Sequence, residues 1–100
     1  MRDDRNAQYV TGVRYFGGRG VLEDMDQAFE WLTLSADQGD VEAQYMLAMI
    51  YLTINPPPQK IKSLSHQEKQ SIGVMYLMKA SDQGHKVASS FLKKITTDSE

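Results

Sequence analysis

The sequence predicts an all-α fold, an α/α solenoid of two and a half helical hairpins with about five helices. Two observations carry that expectation: the chain repeats itself, and helix start and stop signals recur at matching places while no segment alternates as a strand does. "NAQYVTGVRY" at 6 to 15 lies over "EAQYMLAMIY" at 42 to 51, so that Ala7, Gln8, Tyr9 and Tyr15 fall on Ala43, Gln44, Tyr45 and Tyr51 at an offset of 36. "WLTLSADQG" at 31 to 39 lies over "YLMKASDQG" at 76 to 84 at an offset of 45. Self-similarity at such periods marks stacked helical units, none of which can bury its apolar face alone. The nine residues by which the second offset exceeds the first must lie between the matched blocks, where "TINPPPQKIKSLSH" stands against the compact "GGRGVLED".

The elements follow in order. Residues around Asp4 to Phe16 make the first helix. Asp24 followed three positions later by Gln27 reads as an N-cap with a capping-box partner, and Gly39 sits where a left-handed residue closes a helix, so Met25 to Gln38 is the second. Asp40 caps the third, Val41 to about Thr53, which stops before Pro56 because three prolines supply no helical donors. Ser65 with Glu68 repeats the capping-box spacing and opens a longer helix that ends at Gly84, and Lys86 to Ile95 form the last. The expected organisation is one domain over 1–100, with units at about 6–42 and 43–87, a partial unit at 88–96 and a proline-bearing insertion at about 54–65.

Composition narrows the function. One hundred residues with 41% hydrophobic content, 24% charged residues and a net charge of −2 describe one small globular domain with no basic excess to attract a phosphate backbone, so nucleic acid is not an expected partner. The absence of cysteine removes disulfides and thiolate metal sites. The longest mostly apolar run, Tyr45 to Ile54, is about half of what a membrane-spanning helix needs, and "MRDDRNAQ" lacks the apolar core of a signal peptide. The chain as written reads as cytoplasmic, and as periplasmic if a leader has been trimmed from it. Its charged start "MRDDRN" and polar tail "TTDSE" read as the natural caps of a complete small protein.

Catalytic chemistry lacks its parts. "GGRG" follows no strand and is not succeeded by the lysine and Ser/Thr of a phosphate loop, so its glycines belong to a turn. His66 and His85, the only histidines, stand near helix ends without a nucleophile or orienting carboxylate beside them, where a capping role suffices. Glu23, Asp24 and Asp26 open a helix whose dipole favours negative charge. Met46, Met49, Met75 and Met78 lie on helical faces that need core fillers and are expected to be buried. No Ser-His-Asp, Cys-His or Gly-x-Ser-x-Gly arrangement occurs, and the reading is therefore of a protein that is not an enzyme and takes no cofactor or metal.

One 37-residue stretch carries a family resemblance: Ala7, Thr11-Gly12, Tyr15, Gly18-x-Gly20-Val21, Asp24, Ala28-x-x-Trp31, Ser35-Ala36, Gly39 and Ala43. The pattern resembles the Sel-1-like repeat, a relative of the tetratricopeptide repeat. The second unit keeps Ala43, Leu47, Ala48, Tyr51, Tyr76, Ala80 and Gly84, has lost the glycine loop to the insertion, and has Gly73 where Ala28 stands; the third retains Ala88 and Leu92. Gly12 and Ala48 would let paired helices approach closely, while Tyr15, Trp31, Tyr51 and Tyr76 would fill the space between hairpins.

The resemblance implies an adaptor or scaffold that binds a partner protein through a concave face lined by the first helix of each hairpin. In bacteria, short members of this family include immunity proteins that neutralise secreted toxins. By analogy the inward positions are Asn6, Tyr9, Val13 and Phe16, then Glu42, Tyr45, Met49 and Leu52. The expected partner-binding residues are the apolar ones, Tyr9, Val13, Phe16, Tyr45, Met49 and Leu52, since a continuous apolar stripe marks a binding surface. The competing reading places Tyr9 and Tyr45 in the hairpin core and makes the chain a structural unit of a longer solenoid with no binding activity of its own. A second copy of the chain would satisfy the stripe as well as a foreign protein. The insertion offers another surface: its prolines favour an extended segment, and Lys60 with Lys62 gives it positive charge with which to reach a partner or lie across the concave face. The plainer alternative is a tolerated surface loop.

Overall fold

The computed structural model describes Thr11, residues 24–54 and residues 57–98. The first expected helix and the glycine loop lie outside these residues, apart from Thr11, which is helical. Among the described residues the chain forms four α-helices, α1 (Met25–Asp37), α2 (Val41–Thr53), α3 (His66–Asp82) and α4 (Lys86–Asp98), with one 3-10 turn, Gln59–Ile61, and no strand. The all-α solenoid is thus present.

Local chemistry starts each helix where the sequence places a cap. The Asp24 carboxylate accepts from the Gln27 amide at 3.1 Å, and the Asp40 carboxylate from the Ala43 amide at 2.9 Å. Ser65 and Glu68 form a complete capping box, the Ser65 hydroxyl accepting from the Glu68 amide at 3.1 Å and the Glu68 carboxylate from the Ser65 amide at 2.8 Å. Each such cap contributes about 1 kcal/mol. The cap of α4 is the imidazole of His85, whose Nδ1 accepts from the Ala88 amide at 3.0 Å. Two turns join the hairpins, and both depend on a left-handed glycine: Gly39 has φ 93° and Gly84 φ 92°. Here the absence of a Cβ is required. Past Ile95, where the expected last helix ends, α4 continues to Asp98, because Thr96 and Thr97 contain neither a proline nor a glycine to stop it.

Helix α2 is the centre of the described fold. It is apolar on nearly every side because it is covered on two, by α1 and by α3. Leu47 and Ile50 join Phe29, Leu32 and Ala36 of α1 in one core cluster, whereas Ala48 joins Leu77 and Ala80 of α3 and Ala88 of α4 in a second. Between α2 and α3 the small residues Ala48, Gly73 and Ala80 let the backbones come close, Leu77 is fully buried among them, and the rings of Tyr51 and Tyr76 stack at 6.0 Å. Two methionines depart from expectation. Met75 and Met78 are 42% and 49% exposed, since α3 turns Gly73, Leu77 and Ala80 toward α2 and no further described layer covers its opposite side.

One buried polar side chain ties the two glycine turns together. Gln44 is only 4% exposed; its Nε2 donates to the Ala36 carbonyl at 3.3 Å, and its Oε1 accepts from Gln83 Nε2 at 2.9 Å. Burial of an amide is tolerated only when its hydrogen bonds are met, and these partners belong to the ends of α1 and α3.

Candidate protein-interaction surfaces

Of the six expected partner-binding residues, Tyr9, Val13 and Phe16 lie outside the described residues. Tyr45, Met49 and Leu52 share one side of α2 by their i, i+4, i+7 spacing, and all three are half-buried against the second core cluster. Each is held in place. The Tyr45 ring stacks on His85 with centroids 4.6 Å apart, and Leu52 lies against the Gly73 backbone. His85 is in turn fixed at both nitrogens, since Nδ1 caps α4 and Nε2 stands 3.3 Å from the Glu42 carboxylate. That arrangement assigns the proton to Nε2, because an Nδ1 that accepts from an amide cannot carry one. The row is therefore part packing and part surface.

Sequence reasoning missed Gln44, Gln83 and the pairing of His85 with Tyr45. The signal available was the "AQY" repeated at 7–9 and 43–45, which marks the glutamine but does not disclose that its partners stand eight and thirty-nine residues away.

A second surface lies along α1, where the insertion has folded down. Pro58 is fully buried and Ile61 is 3% exposed within the first core cluster. The Asp26 carboxylate accepts from the Gln59 amide at 2.6 Å, and Lys60 Nζ lies 3.8 Å from the Glu30 carboxylate. Pro58 keeps the extended backbone expected of the prolines (φ −57°, ψ 153°), but Gln59–Ile61 turn at once and the described part of the segment seats on α1, which offers it an apolar surface and two carboxylates. A groove of about 450 Å³ results, with Phe29, Leu34 and Tyr51 on one side and Ile61 and Leu64 on the other.

At the far end of α1, the Asp37 carboxylate stands near the phenol groups of Tyr51 and Tyr76. Burial, and then the neighbouring Tyr76 and Asp37, raise the Tyr51 pKa above its ordinary 10.0. Burial, and then the nearby Asp37 carboxylate, raise that of Tyr76. A folded chain that retains phenolic protons which the unfolded chain gives up at pH 10.0 has its full stability below that pH. Stability then declines as pH rises through the raised folded values. Urea melts on either side of pH 10 should show this alkaline decline, and Tyr51→Phe with Tyr76→Phe should flatten it; an unchanged slope in the double variant would assign it elsewhere.

With the helices, turns and surfaces placed, their origin can be stated. The family model described as "Sel1 repeat" matches residues 5–40, 41–53 and 68–85. The chain belongs to the Sel1 repeat family. It also resembles the crystal structure of a Sel1 repeat protein from Oxalobacter formigenes, with a TM-score of 0.76 and 28% identity over 92% of this chain and 62% of that one. The chain thus spans less than two thirds of that relative's length. No curated protein sequence matches it. Sel1 repeats generally mediate protein–protein interaction and are typically non-catalytic. The unmatched stretch between the Sel1 segments, 54–67, contains the insertion, and this is where the groove departs from a regular repeat. Among the described residues no group of three or more His, Cys, Asp or Glu is placed to hold a metal, and no helix is long and apolar enough to cross a membrane.

Proposed function

We propose that this Sel1 repeat chain is an adaptor that holds a partner protein against the first helices of its hairpins, through Tyr45, Met49 and Leu52 of α2 together with Tyr9, Val13 and Phe16 of the first unit. The observation that supports it is the row on α2. Its three large apolar side chains keep part of their surface in water along one side of a helix whose Leu47, Ala48 and Ile50 are fully buried, while the half-buried Met46 and Tyr51 pack against the first core cluster instead. Apolar and aromatic surface of this kind dominates binding energy when a partner covers it. Neutralisation of a toxin in a bacterial cell is one form such an adaptor takes, and the same surface would serve it.

Met49 is the residue to change, because Tyr45 also supports His85 and Leu52 also packs on Gly73. Met49→Glu is expected to lower partner recovery in affinity capture by about tenfold, with the helical circular-dichroism signal retained. Equal recovery of the same protein by the folded variant would remove this face from the binding site.

A further inference from the structure

We propose that the groove between α1 and the folded insertion seats an extended segment of a partner protein, one that carries an apolar side chain and, two or three residues away, an arginine. This surface is separate from the α2 row and does not depend on it.

The apolar half of the proposal comes from the groove. Phe29, Tyr51, Ile61 and Leu64 shape it, and Leu34 stands at its edge 48% exposed, a large apolar side chain that the fold leaves in water. The insertion is not a loose wall. Buried Pro58 and Ile61, the Asp26 carboxylate on the Gln59 amide and the Lys60–Glu30 pair fasten it to α1, so the slot exists before anything enters it. A preformed slot spares an incoming segment the cost of ordering its receptor.

The arginine comes from charge complementarity. Glu30, Thr33, Leu34 and Asp37 follow one another along one side of α1, so the groove leads toward Asp37. Glu30 is matched by Lys60. Asp37 has no ion pair with any described residue, and it sits in the last turn of a helix that places no basic residue there. A carboxylate at that end faces the negative pole of the helix dipole, which a cation would relieve. It is exposed, with the Tyr76 phenol nearby. A carboxylate offers about four lone-pair sites, so room remains for the two-pronged approach of a guanidinium, which a lysine cannot make. On α3, the Lys79 ammonium lies over the Tyr76 ring at 5.5 Å.

Spacing joins the two halves. Thr33, which lines the groove, stands four residues before Asp37, which is about 6 Å along a helix. An extended chain covers about 3.3 Å per residue. Two residues therefore span the gap, and three do so with the side chain angled back.

The probe is a panel of short Gly/Ser peptides, each with one leucine and one arginine at separations of one to four residues, titrated into the isotopically labelled full chain and followed by amide chemical shifts. Perturbations at Leu34, Asp37, Tyr51 and Ile61, strongest at separations of two and three, are expected. Replacing the peptide's arginine by glutamate, or Asp37 by asparagine in the protein, should weaken binding by about tenfold. Asp37→Asn removes the charge at nearly constant size, and Leu34→Ser tests the apolar half at an exposed position. Met49→Glu should leave these titrations unchanged, so failure of the α2 adaptor surface and failure of this groove are read separately. Perturbations absent, located elsewhere or insensitive to Asp37→Asn would overturn the proposal. So would a concentration-dependent dimer in sedimentation that Leu34→Ser abolishes, since the groove would then belong to a second copy of the chain.

Discussion

Gly73→Val is expected to destabilise the chain by about 3 kcal/mol, the upper range for overpacking a well-filled interior. The position is in the middle of α3, and its backbone lies directly against α2. A Cβ built there would stand 2.6 Å from Leu52 Cγ, 2.8 Å from Leu52 Cδ2 and 3.1 Å from Tyr51 Cβ. Leu52 could yield by changing rotamer, but Tyr51 Cβ is fixed to the α2 backbone, so the two helices would have to separate. Gly73→Ala sharpens the test because two effects oppose each other. In an open helix alanine is favoured over glycine by about 1 kcal/mol, whereas here the added carbon meets side chains closer than carbon atoms approach. Chemical denaturation should show Gly73→Ala to be destabilising, and Gly73→Ala with Leu52→Ala should lose less than the sum of the single variants. A stabilising Gly73→Ala would mean that α2 and α3 are farther apart than described.

Leu47→Ala should cost about 3 to 4 kcal/mol, within the range measured for fully buried leucines. Leu47 is completely buried in the first core cluster, where it meets α1 from the middle of α2. Against a total of about 5 to 15 kcal/mol for a domain of this size, that loss is a large fraction. The expected form of the transition is as informative as its midpoint. Because the next residue, Ala48, belongs to the second cluster, α2 cannot loosen from α1 while staying fully packed against α3. Far-ultraviolet circular dichroism and the fluorescence of Trp31 on α1 should therefore lose their signals together in the variant. Separate midpoints would show that the two clusters unfold independently, as weakly coupled repeats do.

What the sequence disclosed was whatever short-range chemistry decides. The caps at Asp24, Asp40 and Ser65 bond to amides three residues away, and the left-handed glycines at 39 and 84 complete turns within a few residues. Each is legible in a short window. The same holds for the shared side of Tyr45, Met49 and Leu52, which helix periodicity fixes, although how far each is covered depends on His85, Gly73 and α4. The groove was illegible because it rests on contacts between positions 26 and 59 and between 30 and 60, and nothing local in a proline-rich stretch says where it will dock. Met75 and Met78 misled for a related reason. Helix α3 has apolar residues on two sides, Gly73, Leu77 and Ala80 on one and Met75 and Met78 on the other, and apolar bulk alone favours the methionines. The close approach at Gly73 instead puts the first side in the interface.

The two glycine turns have a consequence for how such a chain can be rebuilt. Gly39 donates to Ala36 and Asp40 to Ser35 at 2.9 and 3.1 Å, and forty-five residues later Gly84 donates to Ser81 and His85 to Ala80 at the same two distances. The junctions are in effect one connector used twice, and the one difference in length between the units, the nine-residue insertion, falls inside a hairpin, away from either connector. Segments cut at the connectors are therefore interchangeable cassettes. A segment from Asp40 to Gly84 could be duplicated in tandem with its joining geometry unchanged, which lengthens the array while presenting a second copy of whatever the insertion builds.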